Sequence, residues 1–127
     1  MGHAGRDALV LDRAGLPGSA WRTRYDQLHL NTSKWMSRLP GYPFSRNDDR
    51  WPSRDQLVAY LGRYVAHHAL RLQLGTAVDR IERGDGSWVL DTTSGPMSAP
   101  VVVVATTGHA RDPPFAPHQG EGCAGGA

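Results

Sequence analysis

The residues best placed to do chemistry lie in Ala8-Leu-Val-Leu-Asp12 and in the loop GLPGSAW, Gly15 to Trp21, that follows it. An apolar run of strand length that ends in a carboxylate and opens into a Gly/Pro-rich loop has the form of the second strand of a nucleotide-binding βαβ unit. At that strand tip Asp12 would accept hydrogen bonds from ribose hydroxyls, although a surface Asp ending a strand is common in any α/β protein. Gly18, in the loop, would let backbone N–H groups come close to a phosphate or a planar ring. Taken alone, the loop reads as an ordinary turn. A second candidate is ATTGHARDP, Ala105 to Pro113, which leaves an apolar run directly. Small-residue turns at the carboxyl end of buried strands are where open α/β sheets bind ligands; a tight strand exit explains it about as well. A glycine-rich phosphate loop is expected about twenty residues before such an Asp, yet seven residues precede Ala8. The sequence therefore carries the ribose-reading half of a dinucleotide site without the pyrophosphate-cradling half.

Other chemistries find little support. His67 and His68 are neighbours on a helix, so they point about 100° apart and cannot hold one metal ion. His29, His109 and His118 lack partners at ligand spacing, and no metal site is expected. There is no CxxC, GxSxG or HExxH. The lone Cys123 sits in a Gly-rich tail, excludes an internal disulfide and fits a reducing compartment. A net charge of +2 spread over 14 basic and 12 acidic residues is too small an excess to imply nucleic acid or membrane binding. The N-terminus lacks a signal-peptide layout and no apolar run approaches spanning length, so a soluble, cytoplasmic protein is expected.

The elements that must position these residues follow from periodicity. The run Ala8–Asp12 is apolar throughout, which predicts a strand buried on both faces of a parallel sheet. From Arg13 to Pro52 the chain is loop-like, with a short helical possibility at Thr32–Leu39. Trp21, Tyr25, Trp35 and Tyr42 argue against disorder there. Ser53 with Gln56 makes a capping box for a helix from Arg54 to Ala69, whose apolar stripe is Leu57, Val58, Leu61, Tyr64, Val65 and His68. Strands are expected at Leu70–Leu74, Thr76–Arg83, Trp88–Thr92 and Pro100–Ala105. Turn signals at Gly84-Asp85-Gly86 and Thr93–Pro96 predict an antiparallel meander. Val101–Ala105, again wholly apolar, is expected to return to the centre of the parallel sheet. The tail Ala116–Ala127 lacks periodicity and reads as unstructured.

In order, LVLDRAGLPGSAW, RYDQLHLNTSKWMSRLPGYPF, WPSRDQLVAYLGRY, GTAVDRIERGDGSWVL and VVVVATTG resemble the FAD-binding region of the flavin-containing monooxygenase-like oxidoreductases, which include the plant YUCCA and Baeyer–Villiger-related enzymes. The resemblance covers nearly all of Ala8 to Pro113. It implies an α/β fold: an incomplete Rossmann-like FAD-binding domain with an antiparallel β-meander, spanning residues 1–115, before a Pro/Gly-rich tail at 116–127. Asp12 would bind the adenosine ribose, and Gly18, Ser19 and Trp21 would lie along the cofactor. Leu28 and Asn31 would approach the isoalloxazine ring, with Asn31 in the catalytic role of holding the nicotinamide and flavin. Val78 would reach the adenine through its backbone. Thr106, Thr107 and Gly108 would form the turn linking the FAD and NADPH domains. The implied chemistry is reduction of FAD by NADPH, followed by transfer of one oxygen atom from O₂ to a small nucleophilic or carbonyl substrate.

Departures from the family pattern bear on activity. The first strand, its GxGxxG loop, the NADPH glycine loop and the central FxGxxxHxxx(Y/F) signature are missing from the sequence, and ATTG stands where the family has ATG. The absent strand belongs between Ala8–Asp12 and Val101–Ala105, leaving each with an unpaired edge. These departures imply a truncated oxidoreductase that is inactive as an isolated chain. The alternative is a non-catalytic interaction module, in which the basic loop Arg22–Trp35 and the hairpin at Gly84–Gly86 bind a partner chain that supplies the missing strand. A weaker option, a single-stranded nucleic-acid binder stacking bases on Trp21, Trp35 and Trp51, is disfavoured by the scattered acidic residues.

Overall fold

Ser53 starts the most regular element of the chain. Its hydroxyl accepts from the Gln56 amide at 3.2 Å while Gln56 Oε1 accepts from the Ser53 amide at 3.0 Å. This reciprocal cap satisfies donors that a helix start leaves open, and α3 runs Arg54–His67 behind it. The computed structural model describes residues 7–106. In chain order the elements are β1 (Leu9–Asp12), α1 (Ser19–Arg22), α2 (Lys34–Ser37), α3, β2 (Arg71–Leu74), β3 (Val78–Arg83), β4 (Trp88–Thr92) and β5 (Gly95–Ala99). Its contacts divide the chain into two compact units between Ala77 and Val78.

In the first unit β1 and β2 pair in parallel, Leu9 opposite Arg71 and Asp12 opposite Leu74. Two further bonds knit their carboxyl ends, Thr76 N–H to the Asp12 carbonyl and Gly75 N–H to the Ala14 carbonyl, both at 2.9 Å. The expectation that β1 is buried on both faces is not met, for Leu9 and Val10 remain 43% and 48% exposed. Apolar side chains are covered only where other elements lie over them, and among the described residues β1 belongs to a two-stranded sheet.

The unit's core forms on α3 instead. Phe44, Leu57 and the fully buried Tyr60 make its centre, with Leu30, Tyr42, Leu61 and Tyr64 packed around it. Phe44 stacks on Tyr60 with centroids 3.8 Å apart and planes 11° apart. Such ring pairs add about 0.5–1.5 kcal/mol beyond area burial. The Tyr60 hydroxyl accepts from the Leu39 amide and donates to the Tyr42 carbonyl, each at 2.7 Å. Tyr60 is not on the apolar stripe expected from periodicity. It is buried because the segment 39–44 folds over it. His68, which that stripe included, lies exposed just past the helix end, where it meets Tyr64 ring to ring at 4.4 Å.

The second unit is an antiparallel meander, β3-β4-β5; β3, β4 and the hairpin between them match expectation, whereas β5 at Gly95–Ala99 is a strand that was not expected and begins inside the turn expected at Thr93–Pro96. Ile81, Leu90 and Met97 line up across the strands, and Leu90 on the central strand is buried. Gly84–Ser87 closes the first hairpin, with the Gly84 amide on the Ser87 carbonyl at 2.8 Å. Pro96 falls on β5, an edge strand, where its missing N–H is tolerated. Residues 101–106 form no strand, and Val101 and Val103 are 61% and 83% exposed. The expected strand Pro100–Ala105 is therefore corrected: hydrophobicity alone creates no ladder, and no described strand pairs with this run. The tail 116–127, Cys123, His109 and His118 lie outside the described residues. Among the described residues no helix is long and apolar enough to cross a membrane.

Candidate functional site

Asp12 sits at the carboxyl end of β1 with its side chain exposed. Its Oδ1 accepts the Ala14 N–H at 2.9 Å, which orients the carboxylate at the mouth of the parallel pair. An oriented, solvent-facing carboxylate can accept hydrogen bonds from hydroxyl groups of a ligand. The loop after it does not stay irregular. Gly18 takes a left-handed conformation, φ 75°, and caps α1, which carries Ser19 and the 36% exposed Trp21. The left-handed φ favours glycine here, and a Cβ would also sit 3.3 Å from Leu61 Cδ1, which would have to give slightly, and in ordinary contact, 3.8 Å, with Val58 Cγ2. What approaches Gly18 closely in this chain is helix α3.

Leu28 and Asn31 lie on a segment that runs beside residues 50–54. The Arg54 amide bonds the Leu28 carbonyl at 2.8 Å, the Leu30 amide bonds the Pro52 carbonyl at 2.8 Å, and the Lys34 amide bonds the Arg50 carbonyl at 2.9 Å. His29 adds a ring contact, its Nδ1 2.9 Å from the Trp51 carbonyl. Leu28 is half-buried and Asn31 exposed, its backbone held on either side by these bonds.

Charged side chains complete the scaffold. Arg54 reaches the Arg24 carbonyl at 2.7 Å and Asp26 at 2.6 Å, and its Nε bonds Asp55 at 2.9 Å. Hydrogen bonds to Asp55 and then to Asp26 raise the guanidinium above its ordinary pKa. Asp48 Oδ2 accepts from the Ser45 amide at 2.8 Å and from Arg63 on α3 at 3.2 Å. None of Lys34, Asp48, Arg54, Tyr60 or Arg63 was singled out by motif reading. A lysine that opens a helix stands on the unfavourable side of its dipole, and at Lys34 that was the one available signal.

The first unit thus holds Asp12, Gly18, Ser19, Trp21, Leu28 and Asn31. In the second, Val78 opens β3 opposite Thr92 and is half-buried, and Thr106 is exposed. Thr107 and Gly108 lie outside the described residues. Among those described, no group of three or more His, Cys, Asp or Glu side chains is arranged to hold a metal ion.

Comparison with known proteins gives a consistent result. The family model described as pyridine nucleotide-disulphide oxidoreductase matches residues 21–124. An uncharacterized CzcO-like oxidoreductase of Geobacillus kaustophilus is 36% identical over 101 residues, 78% of this chain and 29% of its own. A probable indole-3-pyruvate monooxygenase of Arabidopsis thaliana, YUCCA4, is 30% identical over 118 residues, 91% of this chain and 28% of its own. The chain thus spans under a third of the length of these curated relatives. Two solved structures share the fold. A flavin-containing monooxygenase from Stenotrophomonas maltophilia superposes with a TM-score of 0.61 at 20% identity, covering 72% of this chain and 36% of that one. The bacillithiol disulfide reductase of Staphylococcus aureus gives 0.70 at 18% identity, covering 76% and 29%.

Proposed function

The chain belongs to the pyridine nucleotide-disulphide oxidoreductase family, and from that premise we propose that it forms the ribose- and ring-contacting part of an FAD site in a flavin monooxygenase-like oxidoreductase. The oriented Asp12 carboxylate at the end of a parallel strand pair carries the reading. The residues present fit part of the cofactor. Asp12 offers acceptors suited to ribose hydroxyls, Trp21 an accessible ring, and Asn31 an exposed amide that can both donate and accept. No GxGxxG string stands before Asp12 in this sequence, and the string GEGCAG at 120–125 lies outside the described residues. In this reading β1, β2 and α3 belong to an incomplete Rossmann-like domain over 1–115, with 116–127 as a tail, in a cytoplasmic protein.

A bound flavin would supply acceptance of hydride from NADPH and activation of O₂. This chain's part is to hold it. Asp12 would accept from the ribose, Gly18, Ser19 and Trp21 would flank the cofactor, and Leu28 would help keep water from its ring. Asn31 would help orient the reacting groups, and Val78 would serve the adenine. Thr106 and Gly108 would belong to the link toward an NADPH-binding part. Turnover of a small-molecule substrate then depends on groups outside these 127 residues, and the chain alone does not turn over. Among the described residues β1 pairs with β2 alone, and its other edge would accept a further strand, supplied by another segment or a partner chain.

An FAD titration of the purified chain tests this. Saturable quenching of flavin fluorescence, weakened about tenfold by Asp12→Ala as loss of one charged hydrogen-bond acceptor would cause, is the expected result. A folded chain that leaves flavin fluorescence unchanged would sink the reading. NADPH-dependent O₂ consumption by the chain alone would overturn the claim that it does not turn over.

A further inference from the structure

We propose that Lys34 is a positioning residue for Asn31, acting through a clamp of backbone carbonyls; the functional part of this claim rests on the flavin reading above. The Lys34 ammonium donates to the carbonyls of Ser45 at 3.2 Å, Arg46 at 3.2 Å and Asp48 at 2.6 Å. An ammonium has three protons to give, and all three are committed to main chain. Lys34 is therefore not available as a proton donor or as a phosphate ligand. Its work is mechanical.

The clamp closes a loop of chain. The Lys34 amide is bonded to Arg50 and the Leu30 amide to Pro52, so Asn31 lies on a short segment tied to residues 50–52 at both ends. Thr32 and Ser37 join their hydroxyls across the start of α2 at 2.6 Å, fixing the turn between. The support for this segment is only as rigid as the stretch 45–52. That stretch is secured by Lys34 from one side and from α3 by the Asp48 contact to Arg63 and the Asp49 amide on Gln56 Oε1 at 3.3 Å. Removing the ammonium leaves converging carbonyls with no common donor, loosens residues 45–48, which keep the Asp48 bonds to the Ser45 amide and Arg63, and passes slack to the exposed Asn31 amide.

Hydrogen exchange and flavin titration of the chain separate the two halves of this claim. In Lys34→Met, exchange of the Leu30 amide is expected to rise about tenfold or more, as local opening replaces a tied segment. The Tyr60 and Leu90 amides are expected to stay protected. Lys34→Ala with added n-propylammonium should regain protection, whereas Lys34→Arg should not, because a planar guanidinium cannot converge three donors on one cup. Unchanged exchange at Leu30 in Lys34→Met overturns the clamp, and so does loss of protection throughout α3, which would make Lys34 a general stability residue. In the titration, Lys34→Met should weaken FAD about as much as Asn31→Ala, with little added in the double variant. Full additivity there would overturn the link to Asn31. A wild-type chain that binds no FAD would refute the flavin reading while the exchange experiment still decides the clamp.

Discussion

Helix α3 and strand β1 are both apolar elements of one unit, and their fates differ. Leu57, Val58 and Tyr60 of α3 are buried, while Leu9 and Val10 of β1 stay nearly half exposed. The helix finds its cover in its own chain, where residues 39–44 bend over Tyr60 and place Phe44 flat against its ring. The strand has one described strand neighbour, β2, and of its apolar residues Leu11 is half-buried. Burial is a property of the partner as much as of the residue. The same contrast bears on function, since the candidate cofactor residues Trp21, Leu28 and Asn31 hang on the self-covered half, whereas Asp12 ends the half that lacks cover.

The contrast can be broken by substitution. The largest effect is expected at Tyr60→Ala, which removes a buried ring, its stack and two hydrogen bonds. A loss of about 3–5 kcal/mol in urea denaturation is expected, and a loss under about 1 kcal/mol would mean that the 39–44 cover is not what holds α3. Tyr60→Phe sharpens the point by keeping the ring and leaving the Leu39 amide and Tyr42 carbonyl without their shared partner. It should cost about 1–3 kcal/mol, read from the same denaturation midpoint. Gly18→Ala forces a side chain into a left-handed site 3.3 Å from Leu61; about 1–2 kcal/mol of destabilisation is expected. Ser53→Ala removes the helix cap and should cost about 1 kcal/mol, with recovery in Ser53→Asp. Smallest of all is Val10→Thr on β1, expected within about 0.5 kcal/mol of wild type. A Val10→Thr cost comparable to that at Tyr60 would show β1 buried in solution and abolish the contrast.

How much could be read beforehand varied with the range of the interactions. The capping box at Ser53 and Gln56, the hairpin at Gly84–Ser87 and the short helix within Thr32–Leu39 are local, each fixed by side chains reaching a few residues, so spacing revealed them. Val101–Ala105 failed because a strand needs a partner that hydrophobicity does not supply. The candidate site divides the same way. Asp12 was legible from its place at a strand end, but the scaffold behind Asn31 was not. Lys34 meets carbonyls 11 to 14 residues away, and Arg54 meets Asp26 at a separation of 28.

By itself the sequence determined the helix with its cap, the β3–β4 hairpin with its turn, and the family resemblance that the comparisons bear out. Those features rest on patterns of neighbouring side chains and on preserved strings of residues. Only the tertiary structure decided which apolar groups are buried, what a side chain at Gly18 would meet, and which carbonyls Lys34 and Arg54 reach. Each of these depends on a surface or a carbonyl brought near by the fold, and proximity of that kind is not written in local spacing.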